Sequence, residues 1–315
     1  MTASEMKAAV LTGPGAPAYG TVARPEARDG TLLIDVTLAG MNPIDIFLAT
    51  QPGAGFPRVP GNEGVGLAGG RRVYFGAQAP AGAMAEQALA APERVYDIPD
   101  GLADEMAVAL GIGGLTAWTS LTDRAALAPG ETVLVLGATG IVGQFAVQAA
   151  KLLGAGRVVA AGRDRATLAR LETLGADALV VLEDGETPEA LAERMRAACA
   201  GRLDVVIDPV WGVPAVAALM AATRNGRLVQ LGHSASRSVD LAPAFMRGKP
   251  AAILGYSSSV AAPETRRGAY ADLCAHALAG RLSVPTRRVA LSDIAEVWKS
   301  QAASPNVKLC VDVAA

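Results

Sequence analysis

The stretch from Leu134 to Asp164, LVLGATGIVGQFAVQAAKLLGAGRVVAAGRD, puts an apolar strand, a glycine turn, a helix and a second strand in direct succession. The turn Ala138-Thr139-Gly140-Ile141-Val142-Gly143 has the spacing of a dinucleotide fingerprint, with alanine in the first glycine position. A glycine at 140 lets the backbone come close to a pyrophosphate. A glycine at 143 lets the helix pack tightly on the strand. The free N–H groups and positive dipole end of the helix then meet the phosphate charge. A tight turn that binds nothing could carry the same letters. The complete strand–turn–helix–strand context favours the binding reading.

The end of the second strand bears on which dinucleotide binds. An NAD-binding unit places Asp or Glu there, about 20 residues beyond the glycines, to accept from the ribose 2′-hydroxyl. Gly162 and Arg163 stand there instead. Arg163 can pair with a 2′-phosphate, Gly162 leaves room for it, and Arg165 can assist. Two alternatives stay open: Asp164 serves as the acid if the register slips by one or two, or Arg163 is an ordinary solvated arginine. The expected cofactor is NADPH.

These residues need a scaffold. Continuous apolar runs at Thr132–Leu136, Arg157–Ala161, Ala178–Val181, Asp204–Ile207, Arg227–Leu231 and Ala251–Gly255 read as strands. Helical segments at Thr167–Leu174, Pro188–Ala200 and Val213–Arg224 alternate with them, closed by Gly175 and by Asn225-Gly226. That alternation means α/β architecture, a doubly wound parallel sheet covered on both faces. Residues 1 to about 115 read differently. Short apolar runs such as Thr31–Leu38 and Val73–Phe75 sit between Gly and Pro punctuation, which points to a β-rich lobe. Leu102–Leu110 and Leu115–Leu121 look helical. Beyond Pro263, a helix (Glu264–Leu278), a strand (Thr286–Leu291), a helix after a Ser292 cap and a strand (Val307–Val313) do not extend the parallel sheet. They are assigned to the first lobe. The expected domains are therefore 1–118 with 263–315, and an inserted 119–262.

Bulk properties narrow the function. The chain has 315 residues, 51% hydrophobic and 18% charged, enough for a large core. Its formal charge of −2 comes with no basic stripe, so nucleic acid is not an expected partner. No apolar run reaches the roughly 18 residues of a membrane span. The start, MTASEMKAAVLTGPG, lacks the pattern of a secretory signal. A cytoplasmic location is expected. Cys199, Cys274 and Cys310 are too scattered for a disulfide framework or a zinc site, so no metal is expected.

Several ordered motifs resemble one family. Ala39–Asp45 (AGMNPID), Val59–Gly66 (VPGNEGVG), Ile98–Leu102 (IPDGL), Gly114–Trp118 (GLTAW), the glycine turn and Gly226–Gly232 (GRLVQLG) occur in the order found in medium-chain dehydrogenases/reductases. The chain is most similar to their zinc-free quinone oxidoreductase branch, over nearly its whole length. The resemblance implies a Rossmann domain inserted into a GroES-like catalytic domain, with a cleft for the nicotinamide. Zinc-dependent relatives carry Cys and His where Asn42 and Asn62 stand here. By resemblance, Asn42, Asp45 and Thr116 line the nicotinamide end. Asn42 would donate to an oxygen gaining negative charge, and Asp45 would fix local geometry. Gly232, His233, Ser234, Gly255, Tyr256 and Lys308 resemble cofactor-contacting positions.

Plainer readings stand beside these. Asn42-Pro43 is also turn chemistry, Asp45 a buried acceptor, Asn62 a loop stabiliser and His233 a surface residue. Tyr256 could be core or interface, Lys308 a solvated charge, and Trp118 and Trp211 packing. Phe47 replaces a tyrosine common in relatives, so water is the expected proton source. The short stretch between Gly66 and Arg71 implies a trimmed lobe. The expected reaction is NADPH-dependent reduction of a small-molecule quinone or α,β-unsaturated carbonyl by a homodimer paired through Ala251–Gly255. Gly61–Val65 (GNEGV) keeps an enoyl-thioester reductase open, and a cofactor-binding sensor of little turnover is the alternative from another class.

Overall fold

The computed structural model describes residues 5–27, 30–51, 55–242, 247–248 and 251–314, so the first four residues of the opening segment lie outside it. The strands in chain order are β1 (Glu5–Val10), β2 (Ala18–Ala23), β3 (Leu32–Gly40), β4 (Glu63–Ala68), β5 (Arg71–Ala77), β6 (Gln87–Asp97) and β7 (Thr132–Val135). They continue with β8 (Arg157–Gly162), β9 (Ala178–Val181), β10 (Val205–Asp208), β11 (Arg227–Gln230), β12 (Ala252–Gly255), β13 (Thr286–Ala290) and β14 (Lys308–Asp312). Two compact units divide the chain: Met1–Ile112 with Tyr270–Ala315, and Gly113–Ala269.

In the first unit, β1 and β2 form an antiparallel pair, and a six-stranded sheet runs β13-β14-β3-β4-β5-β6. A further β3–β6 pairing closes β3 through β6 on themselves. β3 shares itself between partners: Leu32–Asp35 pair with β6, and the stretch from Leu38 to Gly40 pairs with both β4 and β14. A register shift between Val36 and Leu38 marks the handover, as a bulge does where a strand bends. The short connection anticipated after Gly66 is a tight β4–β5 turn, with Gly69 at φ +56° and Gly70 at φ +84°. Both angles suit glycine and match the hairpin twist. The core holds Phe75, Met84, Leu309 and Trp298 among others.

One expectation about this unit is corrected. Ser292 does not cap the following helix. Leu291–Asp293 form a 3-10 turn, Asp293 takes the capping position without a side-chain bond, and the helix runs Ile294–Ala302.

The second unit is a fully parallel sheet in the order β12-β11-β10-β7-β8-β9. This is the doubly wound order, with β7 first in sequence and β10 beside it. β7 and β10 are buried along their whole length, which is why they read as unbroken apolar runs. Leu134, Val159, Met195 and Leu228 belong to its core. The helix Val213–Ala221 ends earlier than expected, at the capping residue Ala222, and Asn225, at φ +64°, lies instead in the following turn, where Gly226 N donates to Thr223 O at 3.0 Å.

Candidate functional site

In the second unit, β7 leads through Gly137–Gly140 into the helix Ile141–Leu152. Each glycine of the turn has a separate physical reason. Gly137 has φ +56°, and a Cβ on it would lie 2.5 Å from Val210 Cγ1. A Cβ on Gly143 would lie 2.4 Å from the Gly137 carbonyl and 2.5 Å from Ala138 Cα. A Cβ on Gly140 would meet only the Gly137 carbonyl, at 3.5 Å. So Gly137 and Gly143 are glycines for packing, and Gly140 alone faces open space. Gly140 holds the helix-capping position, and no side chain caps it. The N–H groups of the first turn at Ile141, Val142 and Gly143 therefore have no capping side chain. That is the donor set an anion would use. Ala138 and Thr139 are buried beneath it.

At the end of β8 the structure changes two readings. Gly162 does not leave free room, because Thr139 fills it: a Cβ there would sit 2.8 Å from Thr139 Cγ2. Asp164 caps the helix Arg165–Glu172, its Oδ1 accepting the Thr167 N–H at 2.7 Å. Hydrogen bonding to Thr167 also holds that carboxyl below its ordinary pKa. The acid that could have served the ribose is thus spent on a helix. Arg165 pairs with Glu183. Arg163 is exposed and has no ion pair among the described residues.

Further along the carboxyl edge, Gly232-His233-Ser234 packs on the turn after β10. The Ala235 N–H donates to Val210 O at 2.8 Å, and a Cβ on Gly232 would lie 2.7 Å from Pro209 O. His233 and Ser234 are exposed. Gly255 is exposed, and Tyr256 donates its hydroxyl to Asp123 Oδ2 at 3.1 Å. Thr116 Oγ1 and Ser258 Oγ lie 3.0 Å apart.

The first unit gathers Asn42, Asp45 and Lys308 around Glu63, a residue of the VPGNEGVG motif that was assigned no role. The Glu63 carboxylate is 0% exposed and takes four donors. Lys308 Nζ and Asn42 Nδ2 reach Oε1 at 2.6 and 2.8 Å. The Tyr74 hydroxyl and the Ile112 N–H reach Oε2 at 2.9 and 2.6 Å. Gly40 and Gly111 close in on it: a Cβ on either would lie 2.7 or 2.3 Å from a Glu63 oxygen. Lys308, 1% exposed, also donates to Asn42 Oδ1 at 2.8 Å. It is therefore no solvated charge. Asn42 is held at both ends of its amide, and its remaining amide hydrogen has only the Gly40 carbonyl, at 3.5 Å.

Asp45 sits at the third position of the helix Pro43–Ala49. Its Oδ2 accepts the Asn42 N–H at 2.7 Å, and its Oδ1 accepts from the Asn62 backbone N–H at 3.1 Å and from the Asn62 amide. Burial pushes the Asp45 carboxyl up to about 6, against the pull of these donors and of Lys308. Asp45 ties the two asparagines together. Phe47 is at the surface of the same helix.

A zinc ion does not fit this cluster. Its atoms are amide and carboxylate oxygens already holding an ammonium, and among the described residues no group of three His, Cys, Asp or Glu could hold a metal.

The profile described as zinc-binding dehydrogenase matches residues 142–269. A trans-enoyl reductase, tazE of Aspergillus terreus, is 31% identical over 228 residues, 62% of this chain and 74% of its own length. The chain belongs to the medium-chain dehydrogenase/reductase superfamily. Polyketide synthase GfsB of Streptomyces halstedii is 35% identical over 221 residues, 67% of this chain, but the chain spans only 4% of that protein. The quinone oxidoreductase of Thermus thermophilus, also solved with NADPH, is 28% identical, with a TM-score of 0.79 over 98% of this chain and 100% of that one.

Two further residues were given no role by the motifs. Gly137 precedes the expected first glycine position. Its positive φ could have been suspected from LGATG alone. Asp208 ends β10 with 0% exposure, its Oδ1 accepting from Val210 N and Trp211 N at 3.0 and 2.7 Å. It holds Trp211 at φ +61°. Its Oδ2 has no partner among the described residues, and burial raises the carboxyl to about 6. The signal was Asp before Pro, a turn-forming pair.

Proposed function

We propose that the chain is an NADPH-dependent oxidoreductase that delivers hydride to a quinone or an α,β-unsaturated carbonyl without zinc. The observation that carries the reading is the end of β8, where Arg163 is exposed and Asp164 is consumed as a helix cap. That combination favours a 2′-phosphate over a free 2′-hydroxyl. The uncapped helix start with open space at Gly140 would hold the pyrophosphate, and the Thermus relative's NADPH complex supports the same cofactor.

Bound NADPH supplies the hydride. The amide hydrogen of Asn42 not given to Glu63 has only a long contact to the Gly40 carbonyl, at 3.5 Å, and would be given up to the substrate oxygen that gains charge. Asp45 and Glu63 keep that amide in place. Phe47 has no exchangeable proton, so solvent protonates the product. Thr116, Gly232, His233, Ser234, Gly255 and Tyr256 complete the proposed contacts. Among the described residues, no helix is long and apolar enough to cross a membrane. The chain is proposed to act in the cytoplasm, as a homodimer paired along β12.

Reduction of an enoyl thioester is the second reading. It is supported by similarity to a trans-enoyl reductase over 74% of that protein. Steady-state NADPH oxidation with 1,4-naphthoquinone and with crotonyl-CoA separates the two by the higher kcat/KM. The cofactor assignment is checked by Arg163→Ala, which should raise KM for NADPH about tenfold, the worth of one charge-assisted contact, and leave KM for NADH unchanged. An equal effect on both cofactors would remove Arg163 from the 2′-phosphate site.

A further inference from the structure

A buried ammonium in a catalytic lobe without metal ligands needs a reason, because burying an ion pair does little for stability by itself. Lys308 is 1% exposed and Glu63 0%. They come from β14 and β4, far apart in sequence, and both reach Asn42. Lys308 Nζ donates to the Asn42 amide oxygen, while Glu63 Oε1 accepts from both Nζ and the Asn42 amide nitrogen. A cation on an amide oxygen draws electrons from the nitrogen and makes its N–H groups stronger donors. Asn42 keeps one such hydrogen with only a 3.5 Å contact, to Gly40 O. Tyr74 and the Ile112 N–H saturate the far oxygen of Glu63, so the carboxylate cannot swing away.

We infer that Lys308 is a resident cation that polarises and orients Asn42, with Glu63 as its anchor, standing in for the Lewis acid that zinc-dependent relatives use. Lys308 and Glu63 are then positioning residues acting through Asn42. On this inference Lys308 acts through Asn42 rather than by the cofactor contact that its position by resemblance implies. The inference rests on the proposed NADPH-dependent reduction.

The test uses Lys308→Met with Glu63→Gln, which removes both charges together so that neither is left buried alone, and Lys308→Arg as the conservative variant. NADPH dissociation constants come from calorimetry, and hydride-transfer rates from single-turnover mixing with 1,4-naphthoquinone. The inference predicts that the double variant binds NADPH within about twofold of wild type. Hydride transfer should slow on the order of 100-fold, the scale of a misplaced donor, and Lys308→Arg should recover part of the rate. Weakened NADPH binding with an unchanged transfer rate would make Lys308 a cofactor contact and overturn the inference. An unchanged rate with unchanged binding would overturn it too, leaving the cluster purely structural. Failure of the wild-type chain to bind NADPH would instead sink the underlying reading, and the inference with it.

Discussion

Glu63 and Lys308 show what a pair of charges demands once it is taken out of water. Removing one partner strands the other in a site closed by the Gly40 and Gly111 backbones. Lys308→Met should therefore lose about 3–5 kcal/mol of stability, while adding Glu63→Gln should restore most of it. Urea unfolding at neutral pH measures both. Asp208 gives a pH signature of its own. Its folded carboxyl, at about 6, holds a proton more tightly than the unfolded one near 3.8. Stability from this group is therefore present below the unfolded value and is lost as pH rises towards 6, then stays flat. Asp208→Asn keeps an acceptor for Val210 and Trp211 but cannot titrate. Relative to it, the wild type should lose up to about 3 kcal/mol between pH 4 and 6. A constant difference across that range would mean that Asp208 does not titrate there. The Glu63–Lys308 pairing was not legible in the sequence, because a buried Lys and Glu look like any solvated pair until residues distant along the chain meet. Asn42 and Asp45 were legible, since both lie inside one short motif.

Elements were read well where local pattern and global fold agree. The central strands of the parallel sheet, β7, β8 and β10, are buried along most or all of their length, so their apolar runs announced them to within a residue or two. The first unit was harder. β4 is Glu-Gly-Val-Gly-Leu-Ala, and its two glycines hide a strand whose backbone must pass close to β3 and to Phe75. β6 contains Pro92 and splits its pairing between β3 and β5, so no single alternation runs through it. The glycine turn provides a prediction at this scale. Gly140→Ala has an ordinary φ of −74° and open space, so it should fold normally yet weaken NADPH binding. Gly143→Ala would press on the Gly137 and Ala138 backbone and should lose about 1–3 kcal/mol or more. Thermal unfolding paired with calorimetric NADPH titration distinguishes the two. Similar stability losses for both would mean that Gly140 is also a packing glycine.

At the scale of the whole molecule, the chain forms a doubly wound sheet and a β-rich lobe, the second assembled from both ends of the chain; the proposed reading assigns cofactor binding to the first and the oxygen-stabilising donors to the second. The metal-binding relatives need a Lewis acid to polarise a carbonyl. On the proposed reading, amide and ammonium donors take its place, and acceptors already prone to take hydride suit them. The most direct measurement is NADPH oxidation with 1,4-naphthoquinone by protein dialysed against a strong chelator. The account predicts full turnover with no metal added and none restored by zinc. Turnover that vanishes on dialysis and returns with one zinc per chain would contradict it.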